Sequence, residues 1–244
     1  MDVRLKRYQK SSSYSYTLGV FPTIELLQNR PSSVKGVLLH SKGARNQGMD
    51  IIYELCTEQD IEIIDNDYLV EKLSRRGDTY AVGVFDKYQP DLEHDANHVV
   101  LVQPHGMGNL GTITRTMLAF GIQNLGLIEP AADLFDPKVI RASMGAIFQL
   151  RFQWFDQFAD YWGTFASHHL YPLMTDGEMD LTDIHFQLPY TLIFGEESSG
   201  LGKEYHQFGT SVRIPQEGTV DSLNIALSVG VTLYQAYTRG KSAS

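Results

Sequence analysis

Residues 213–228, RIPQEGTVDSLNIALS, read as strand, loop and helix. Thr210 to Ile214 alternate as a short buried strand would, Pro215 has no N–H to continue a ladder, and Gly218 permits a turn. Asp221 or Ser222 can then cap a helix from Leu223 to Tyr237. Its apolar residues Leu223, Ile225, Leu227, Val229, Val231 and Leu233 cover nearly every face, so the helix is expected to be buried all round. Ser222 and Asn224 stand in its first turn, where unpaired backbone N–H groups favour a ligand; both are also ordinary helix-start residues.

Outward from this stretch the chain alternates. Strands are expected at His98–Val102, Asn124–Ile128, Leu150–Phe155, His169–Met174 and Tyr190–Phe194, with helices at Thr112–Phe120, Pro137–Phe148, Asp156–Ser167 and after Gly200. Such alternation predicts an α/β fold with a mostly parallel sheet covered on both faces, and ligands at the carboxyl ends of its strands. Further upstream lies a smaller α/β unit. It has helix Pro22–Asn29, strand Val34–His40, helix Arg45–Gln59 with Met49, Ile52, Leu55 and Cys56 inward, and strand Ile61–Ile64. A helix capped by Asp65 or Asn66 and closed by Arg75-Arg76-Gly77, then strand Tyr80–Phe85, completes it. The acidic, Pro-containing QPDLEHDAN at Gln89–Asn97 reads as a boundary. The expected organisation is a domain over 1–90, a linker over 91–97 and a second domain over 98–244.

With 244 residues, 43% of them hydrophobic, the chain is long enough for two proper cores. One cysteine, Cys56, excludes an internal disulfide framework and a cysteine-rich zinc site, and fits a reducing compartment. His168-His169 lacks ligand spacing for zinc and reads as structural, so no metal is expected. The basic N-terminus (Arg4, Lys6, Arg7, Lys10) runs into Ser11–Ser15 instead of an apolar core, and no apolar run is long enough to span a bilayer. A cytoplasmic protein without membrane contact is expected. Net charge is −9, unevenly spread: residues 1–90 hold 12 Lys and Arg against 12 Asp and Glu, residues 91–244 hold 8 against 17. A polyanionic partner would therefore be met by local patches in the first part.

The turn His105-Gly106-Met107-Gly108-Asn109-Leu110-Gly111 contains Gly106-x-Gly108-x-x-Gly111 between a strand and a helix, and Glu129 ends the next strand. This is the dinucleotide fingerprint with its acidic ribose ligand about 20 residues on, which makes an NAD-dependent oxidoreductase a rival reading. It leaves Arg115 unexplained, together with two further loops, Gly195-Glu196-Glu197-Ser198-Ser199-Gly200-Leu201 and residues 213–224.

Taken in order, N-L-G-x-x-x-R (Asn109 to Arg115), R-A-S-M-G-A (Arg141 to Ala146), G-E-E-S-S-G-L and I-P-x-x-G-x-x-x-S-L-N resemble the SpoU/TrmH-type RNA 2′-O-methyltransferases of the SPOUT superfamily. The resemblance covers the second domain; residues 1–90 more loosely resemble the L30e-like substrate-binding domain that often precedes it. It implies a C-terminal trefoil knot, a rare exception to the rule against threading. It also implies S-adenosylmethionine bound among three loops: near Met174 and Thr175, at Phe194 to Gly200 with Phe194, Gly195 and Gly200 as contacts, and at Ile214 to Gly218 with Ile214, Pro215, Gln216, Gly218, Ser222, Leu223 and Asn224. It further implies a homodimer packed around the C-terminal helix, and rRNA or tRNA as partner. The residues agree physically: Gly195, Gly200 and Gly218 allow close backbone approach, and Ile214 and Leu223 offer apolar walls for an adenine.

The implied reaction transfers a methyl group from a sulfonium to a ribose hydroxyl, and needs in-line positioning and loss of the hydroxyl proton. Arg115 is the catalytic residue the resemblance points to, either as base or, because guanidinium stays protonated, as a group that binds the adjacent phosphate and stabilises alkoxide charge. Asn109, Glu197, Ser222 and Asn224 would orient Arg115, the ribose or the cofactor. The chain departs from the family pattern in its longer first loop, with His105-Gly106-Met107 between Pro104 and Gly108, and in Gln216 where Met is common. His105 is more often a solvated loop residue than a proton acceptor. A catalytically inactive RNA-binding relative is the third reading. A fragment beginning at Asn97 is expected to fold and bind cofactor without binding RNA, since Arg4, Lys6, Arg7, Lys10, Arg30, Lys35, Lys42, Arg45, Arg75 and Arg76 are lost with the first domain.

Overall fold

The computed structural model describes residues 5–44, 46–74, 77–218 and 221–242, and Arg4, Arg45, Arg75 and Arg76 lie outside them. The chain packs as two compact units, 1–88 with 133–149 and 89–132 with 150–244.

The first unit begins with β1 (Tyr14–Tyr16), α1 (Val20–Asn29), β2 (Val34–Leu39), α2 (Gln47–Glu58), β3 (Ile63–Asp65), α3 (Asp67–Ser74) and β4 (Ala81–Asp86). The sheet order is β1-β4-β2-β3, with β2 and β3 parallel and the other pairs antiparallel. Strand alternation divides β2 between two cores. Val37 and Leu39 pack with Leu27, Met49, Ile52 and Cys56, whereas Leu38 packs with Tyr16, Leu69, Val70 and Val82. Asn46 caps α2 by accepting from the Gly48 amide at 3.0 Å, and Asn66 accepts from the Leu69 amide at 2.9 Å. The edge strand β1 escapes the sequence reading because three residues rich in Ser and Tyr carry no apolar alternation.

The chain then enters the second unit with β5 (His98–Val102), α4 (Met107–Ala119) and β6 (Asn124–Ile128), and leaves it for α5 (Pro137–Ala142) and the 3-10 turn Ala146–Gln149. This return differs from the contiguous domain expected over 98–244. Phe135 and Phe148 both pack on Phe85, with ring centroids 6.1 and 5.2 Å away, and Tyr8 donates to the Asp133 carboxylate. Arg30, expected among the phosphate contacts, lies over the Tyr88 ring and donates through Nε to the Phe148 carbonyl at 3.0 Å. Of the remaining basic side chains, Lys35 pairs with Asp86 and Lys42 with Glu71.

Back in the second unit come β7 (Arg151–Phe155), α6 (Phe158–Thr164), β8 (His169–Pro172), β9 (Met179–Asp180), β10 (Tyr190–Phe194), β11 (Val212–Arg213) and α7 (Ile225–Ser242). The main sheet, β7-β6-β5-β10-β8, is parallel throughout, and β6 and β10 are buried along their whole length, as a sheet covered on both faces requires. Strand order runs outward from β5 through β6 to β7, then resumes on the other side of β5. The switch point therefore lies between β5 and β10. β11 is shorter than Thr210–Ile214 and pairs with β9 instead of joining this sheet. α7 starts at Ile225, not Leu223, because Asn224 caps it by accepting from the Ala226 amide at 2.9 Å. Nor is it buried all round: Val229 and Leu233 are buried, while Leu227, Val231, Tyr234 and Tyr237 stand exposed in one row.

The expected linker is fastened to this unit. Leu92 is buried, the Glu93 amide donates to Asn124 Oδ1 at 2.9 Å, and Asn97 Oδ1 accepts from the Tyr190 amide at 3.0 Å. His98, fully buried, donates through Nε2 to the Glu93 carbonyl at 2.8 Å, with Nδ1 2.8 Å from the Tyr161 hydroxyl. His168 donates through Nε2 to the His94 carbonyl at 2.8 Å, and its Nδ1 meets Thr191 Oγ1 at 2.9 Å, so its role is structural. Burial pushes His98 down to about 4, opposed by the Glu93 carbonyl and aided by His168 and His94. Burial also pushes His168 down, with the His94 carbonyl and Asp95 opposing and the charges of His94 and His169 adding to the fall. A histidine whose folded pKa lies below its unfolded value destabilises the fold as pH falls, because the unfolded chain binds the proton first. Stability is thus expected to be full above the ordinary histidine value of about 6.5 and to fall toward pH 4, by up to about 3 kcal/mol from His98. Urea unfolding at pH 7 and pH 5 checks this: the difference should shrink in His98→Gln, and an unchanged difference would contradict it.

Candidate functional site

Three loops at the carboxyl ends of the second unit's strands enclose a cavity of about 280 Å³. The first follows β8 and contributes Leu173, Met174, Thr175 and Asp176; the second, after β10, contributes Gly195 to Leu201. The third, after β11, contributes Ile214, Gln216, Asp221, Ser222 and Leu223, and Ile225 and Ser228 of α7 complete the wall. Each loop has a local reason for its shape. Met174 donates its amide to the Val212 carbonyl at 2.8 Å, which ties the first loop to β11. The second loop closes on itself through the Gly200 amide and the Glu196 carbonyl at 3.0 Å. A Cβ on Gly195 would stand 2.1 Å from the Gly200 carbonyl carbon. That glycine therefore serves the loop's own closure, whereas the sequence reading assigned it to close approach by a ligand.

Glu197 links the second loop to the start of α4. Its Oε1 accepts from the Gly106 amide at 2.7 Å and faces Asn109 Nδ2 at 3.4 Å, while Oε2 accepts from the His105 amide at 3.1 Å. Asn109 in turn accepts through Oδ1 from Asn224 Nδ2 at 3.1 Å, so its amide is held at both ends. Partial burial opposes ionisation of Glu197. The amides of His105, Glu197 itself and Gly106, with the Asn109 side chain, outweigh it and hold the carboxyl below the usual carboxylate range. The N-terminus of a 13-residue helix favours the same negative charge.

This arrangement rules against the dinucleotide reading. In a dinucleotide fold the helix amides receive a pyrophosphate. Here the amides of His105 and Gly106, just ahead of the helix, donate to the protein's own Glu197 carboxylate, and Gly106 is small for that reason: a Cβ would lie 2.6 Å from Glu197 Oε1. Glu129, the supposed ribose ligand, accepts from the Ala131 amide and lines an adjoining cleft with Gln103 and Asp156, on the other side of the shared wall Glu196, Ser199, Gly200 and Leu201. Gly106, Gly108 and Gly111 line neither cavity.

Of the residues expected to hold a cofactor, Met174, Thr175, Phe194, Gly195, Gly200, Ile214, Gln216, Ser222 and Leu223 line the main cavity, whereas Pro215, Gly218 and Asn224 do not. Of those expected in catalysis, Glu197 and Ser222 line it and Asn109 and Asn224 join Glu197 by hydrogen bonds. Arg115 is exposed on α4, is not part of the lining, and pairs with no carboxylate among the described residues. His105 is exposed, its Nε2 3.8 Å from Glu196 Oε1. Glu196 lies within the expected loop Phe194 to Gly200, whereas Asp176, Asp221 and Ser228 are lining residues that the sequence does not single out for the site. Asp176 and Asp221 adjoin named motif residues; Ser228 comes into reach by helical spacing from Asn224, with its amide donating to the Asn224 carbonyl at 2.9 Å. Among the described residues, four with carboxylate side chains (Asp176, Glu196, Glu197 and Asp221) line the cavity, and no lysine or arginine does. Among the described residues, no three His, Cys, Asp or Glu side chains gather as metal ligands would.

Comparison with known proteins bears on the same region. An uncharacterized tRNA/rRNA methyltransferase of Synechocystis sp. is 36% identical over 149 residues, covering 60% of this chain and 54% of that protein. The 23S rRNA (uridine(2479)-2′-O)-methyltransferase of Streptomyces viridochromogenes is 32% identical over 158 residues, covering 59% of this chain and 53% of its own. The chain thus spans about half the length of each of these relatives. The crystal structure of the SpoU methyltransferase AviRb from Streptomyces viridochromogenes, in complex with the cofactor AdoMet, superposes with a TM-score of 0.80 at 24% identity. It covers 94% of this chain and 92% of that one, a likeness of fold. Residues 96–234, more than half of the chain, match the model of the SpoU rRNA Methylase family, and the chain belongs to that family.

Proposed function

We propose that this protein is an S-adenosylmethionine-dependent methyltransferase that modifies a ribose 2′-hydroxyl in structured rRNA or tRNA, in the cytoplasm. The observation that carries this reading is the cavity between the three loops, walled by Met174, Ile214 and Leu223 and lined, among the described residues, by four acidic residues and no basic one. Such a lining attracts a ligand bearing a sulfonium and an ammonium and repels a pyrophosphate. When bound, the cofactor supplies a methyl group activated by the sulfonium. Glu197 and Asn224 hold the Asn109 amide beside the start of α4, and Ser222 faces the cavity from the third loop. Arg115, exposed and without a carboxylate partner among the described residues, binds the phosphate next to the target and stabilises the alkoxide that forms as the hydroxyl loses its proton. A guanidinium stays protonated at neutral pH, which favours this role over that of base.

The finer architecture belongs to the same reading: an L30e-like first unit that recruits RNA, and a C-terminal chain threaded as a trefoil knot that brings the three loops together. A homodimer is inferred from α7. Leu227, Val231, Tyr234 and Tyr237 form an exposed apolar row at helical spacing that a second copy would cover. Sedimentation at micromolar concentration is expected to give a dimer, and Val231→Glu, on the exposed face, a folded monomer; a monomeric wild-type protein would contradict the assignment.

The function is tested by calorimetry with S-adenosylmethionine and NADH, then by labelling total RNA with methyl-radioactive cofactor and digesting it to 2′-O-methyl nucleosides. Binding of NADH alone would overturn the reading, and cofactor binding without transfer to any RNA would favour an inactive relative.

A further inference from the structure

His206 lies on the 3-10 turn Lys203–Gln207 that comes after the second cavity loop. Its Nε2 is 3.2 Å from Oδ1 of Asp176, on the first loop, and its Nδ1 is 3.1 Å from Oγ of Ser211, the residue before β11 that leads into the third. One imidazole thus joins the segments that carry all three loops. The Ser, His and Asp order resembles a hydrolytic triad, but Ser211 is fully buried and its oxygen accepts the Glu178 amide at 3.1 Å, so no substrate reaches it. With that amide on one lone pair, the Ser211 hydroxyl can donate to Nδ1 while the ring donates through Nε2 to Asp176. This tautomer satisfies every member of the chain. The opposite tautomer would set a bare ring nitrogen against a carboxylate.

Among the cavity carboxylates, Glu196, Glu197 and Asp176 differ in what they have left to offer. Glu196 faces the Ser199 hydroxyl with one oxygen and His105 with the other, and both oxygens of Glu197 are taken by the amides at the start of α4. Asp176 has one oxygen held by His206, and among the described residues its Oδ2 has no protein partner. Asp176 lines the cavity with its side chain 60% exposed, and a carboxylate with one oxygen anchored and the other open is a hydrogen-bond acceptor available to a ligand.

We propose that Asp176 accepts hydrogen bonds from hydroxyl or ammonium donors of the bound cofactor, and that His206 is the positioning residue that aims it. This rests on the reading of the cavity as an S-adenosylmethionine site. Sequence reasoning stopped at Thr175 because an aspartate in a turn before a glycine is ordinary turn chemistry. Only the approach of His206, 30 residues away, distinguishes it.

The test is calorimetry on the full chain with S-adenosylmethionine and with 5′-methylthioadenosine, which keeps the ribose hydroxyls and lacks the ammonium. Asp176→Asn is expected to weaken S-adenosylmethionine binding roughly tenfold or more, as loss of one charge-assisted hydrogen bond does. If methylthioadenosine weakens equally, the donors are the hydroxyls; if it is unaffected, the donor is the ammonium. His206→Ala should weaken binding in the same direction, and His206→Gln should restore it, because its amide can donate to Asp176 and accept from Ser211. Thermal melting of the free proteins separates these effects from folding, with His206→Gln decisive if His206→Ala melts lower. Wild-type affinity in Asp176→Asn would overturn the proposal, and wild-type affinity in a folded His206→Ala would overturn the positioning role. Failure of the wild-type protein to bind S-adenosylmethionine would instead overturn the reading of the cavity itself.

Discussion

Arg115→Ala is expected to lower methyl transfer at least about a hundredfold while leaving S-adenosylmethionine affinity within about twofold. The two halves of this expectation come from different observations. Arg115 does not line the cavity, so its loss removes nothing from the cofactor. It is exposed on the helix whose first turn carries Asn109, itself bonded to Glu197 and Asn224 at the cavity's edge, so its guanidinium is free to meet the RNA. Arg115→Lys separates charge from geometry: a lysine keeps the positive charge but loses the planar fork that binds a phosphate through two parallel bonds, and partial activity is expected. Single-turnover methylation, with cofactor affinity measured in parallel, decides the matter. Near-normal transfer in Arg115→Ala would remove it from the reaction, and loss of cofactor binding would make it a structural residue.

A fragment beginning at Asn97 is expected to aggregate instead of folding, which reverses the expectation from the sequence. The segment 133–149 packs with residues 1–88, and within it Phe135, Val139, Ile140, Ile147 and Phe148 are all buried. Cutting the chain before Asn97 leaves these side chains without the core that covers them, at about 2 kcal/mol each in lost burial, and creates an apolar patch of the kind that associates. The same cut removes the Glu93 and His94 carbonyls that accept from buried His98 and His168. Two buried ring N–H groups would be left unsatisfied, each costing about 1–3 kcal/mol. The measurement is the soluble yield of residues 97–244 and its thermal unfolding. A soluble fragment with a cooperative melt would show that the segment 133–149 does not depend on the first unit.

The sequence by itself determined the features that short-range rules govern. Strand β6 and strand β10 stand where mostly apolar runs put them, because a strand buried on both faces keeps few polar positions, here Asn124 and Thr191. Alternating strand and helix implied a parallel sheet, and four ordered motifs at strand ends and helix starts carried the resemblance to the SpoU type. Most of the cavity lining was legible for the same reason: loops at the ends of strands in a parallel sheet converge on one side of it. Tertiary structure decided what depends on approach between distant segments. The start of α4 matches a phosphate-binding fingerprint letter by letter, and only the arrival of Glu197 from 91 residues beyond Gly106 shows that the His105 and Gly106 amides leading into it are already occupied. The apolar pattern of α7 fits burial on all sides, yet periodicity counts apolar faces without saying which of them has a neighbour, and Leu227 and Val231 stay 60% and 44% exposed. The segment 133–149 leaves one unit for the other because Phe135 and Phe148 find the ring of Phe85, about 50 to 60 residues upstream. Local propensity reaches one or two turns along the chain; a carboxylate that caps a distant helix and a phenylalanine that fills a distant core are settled only when the whole chain has packed.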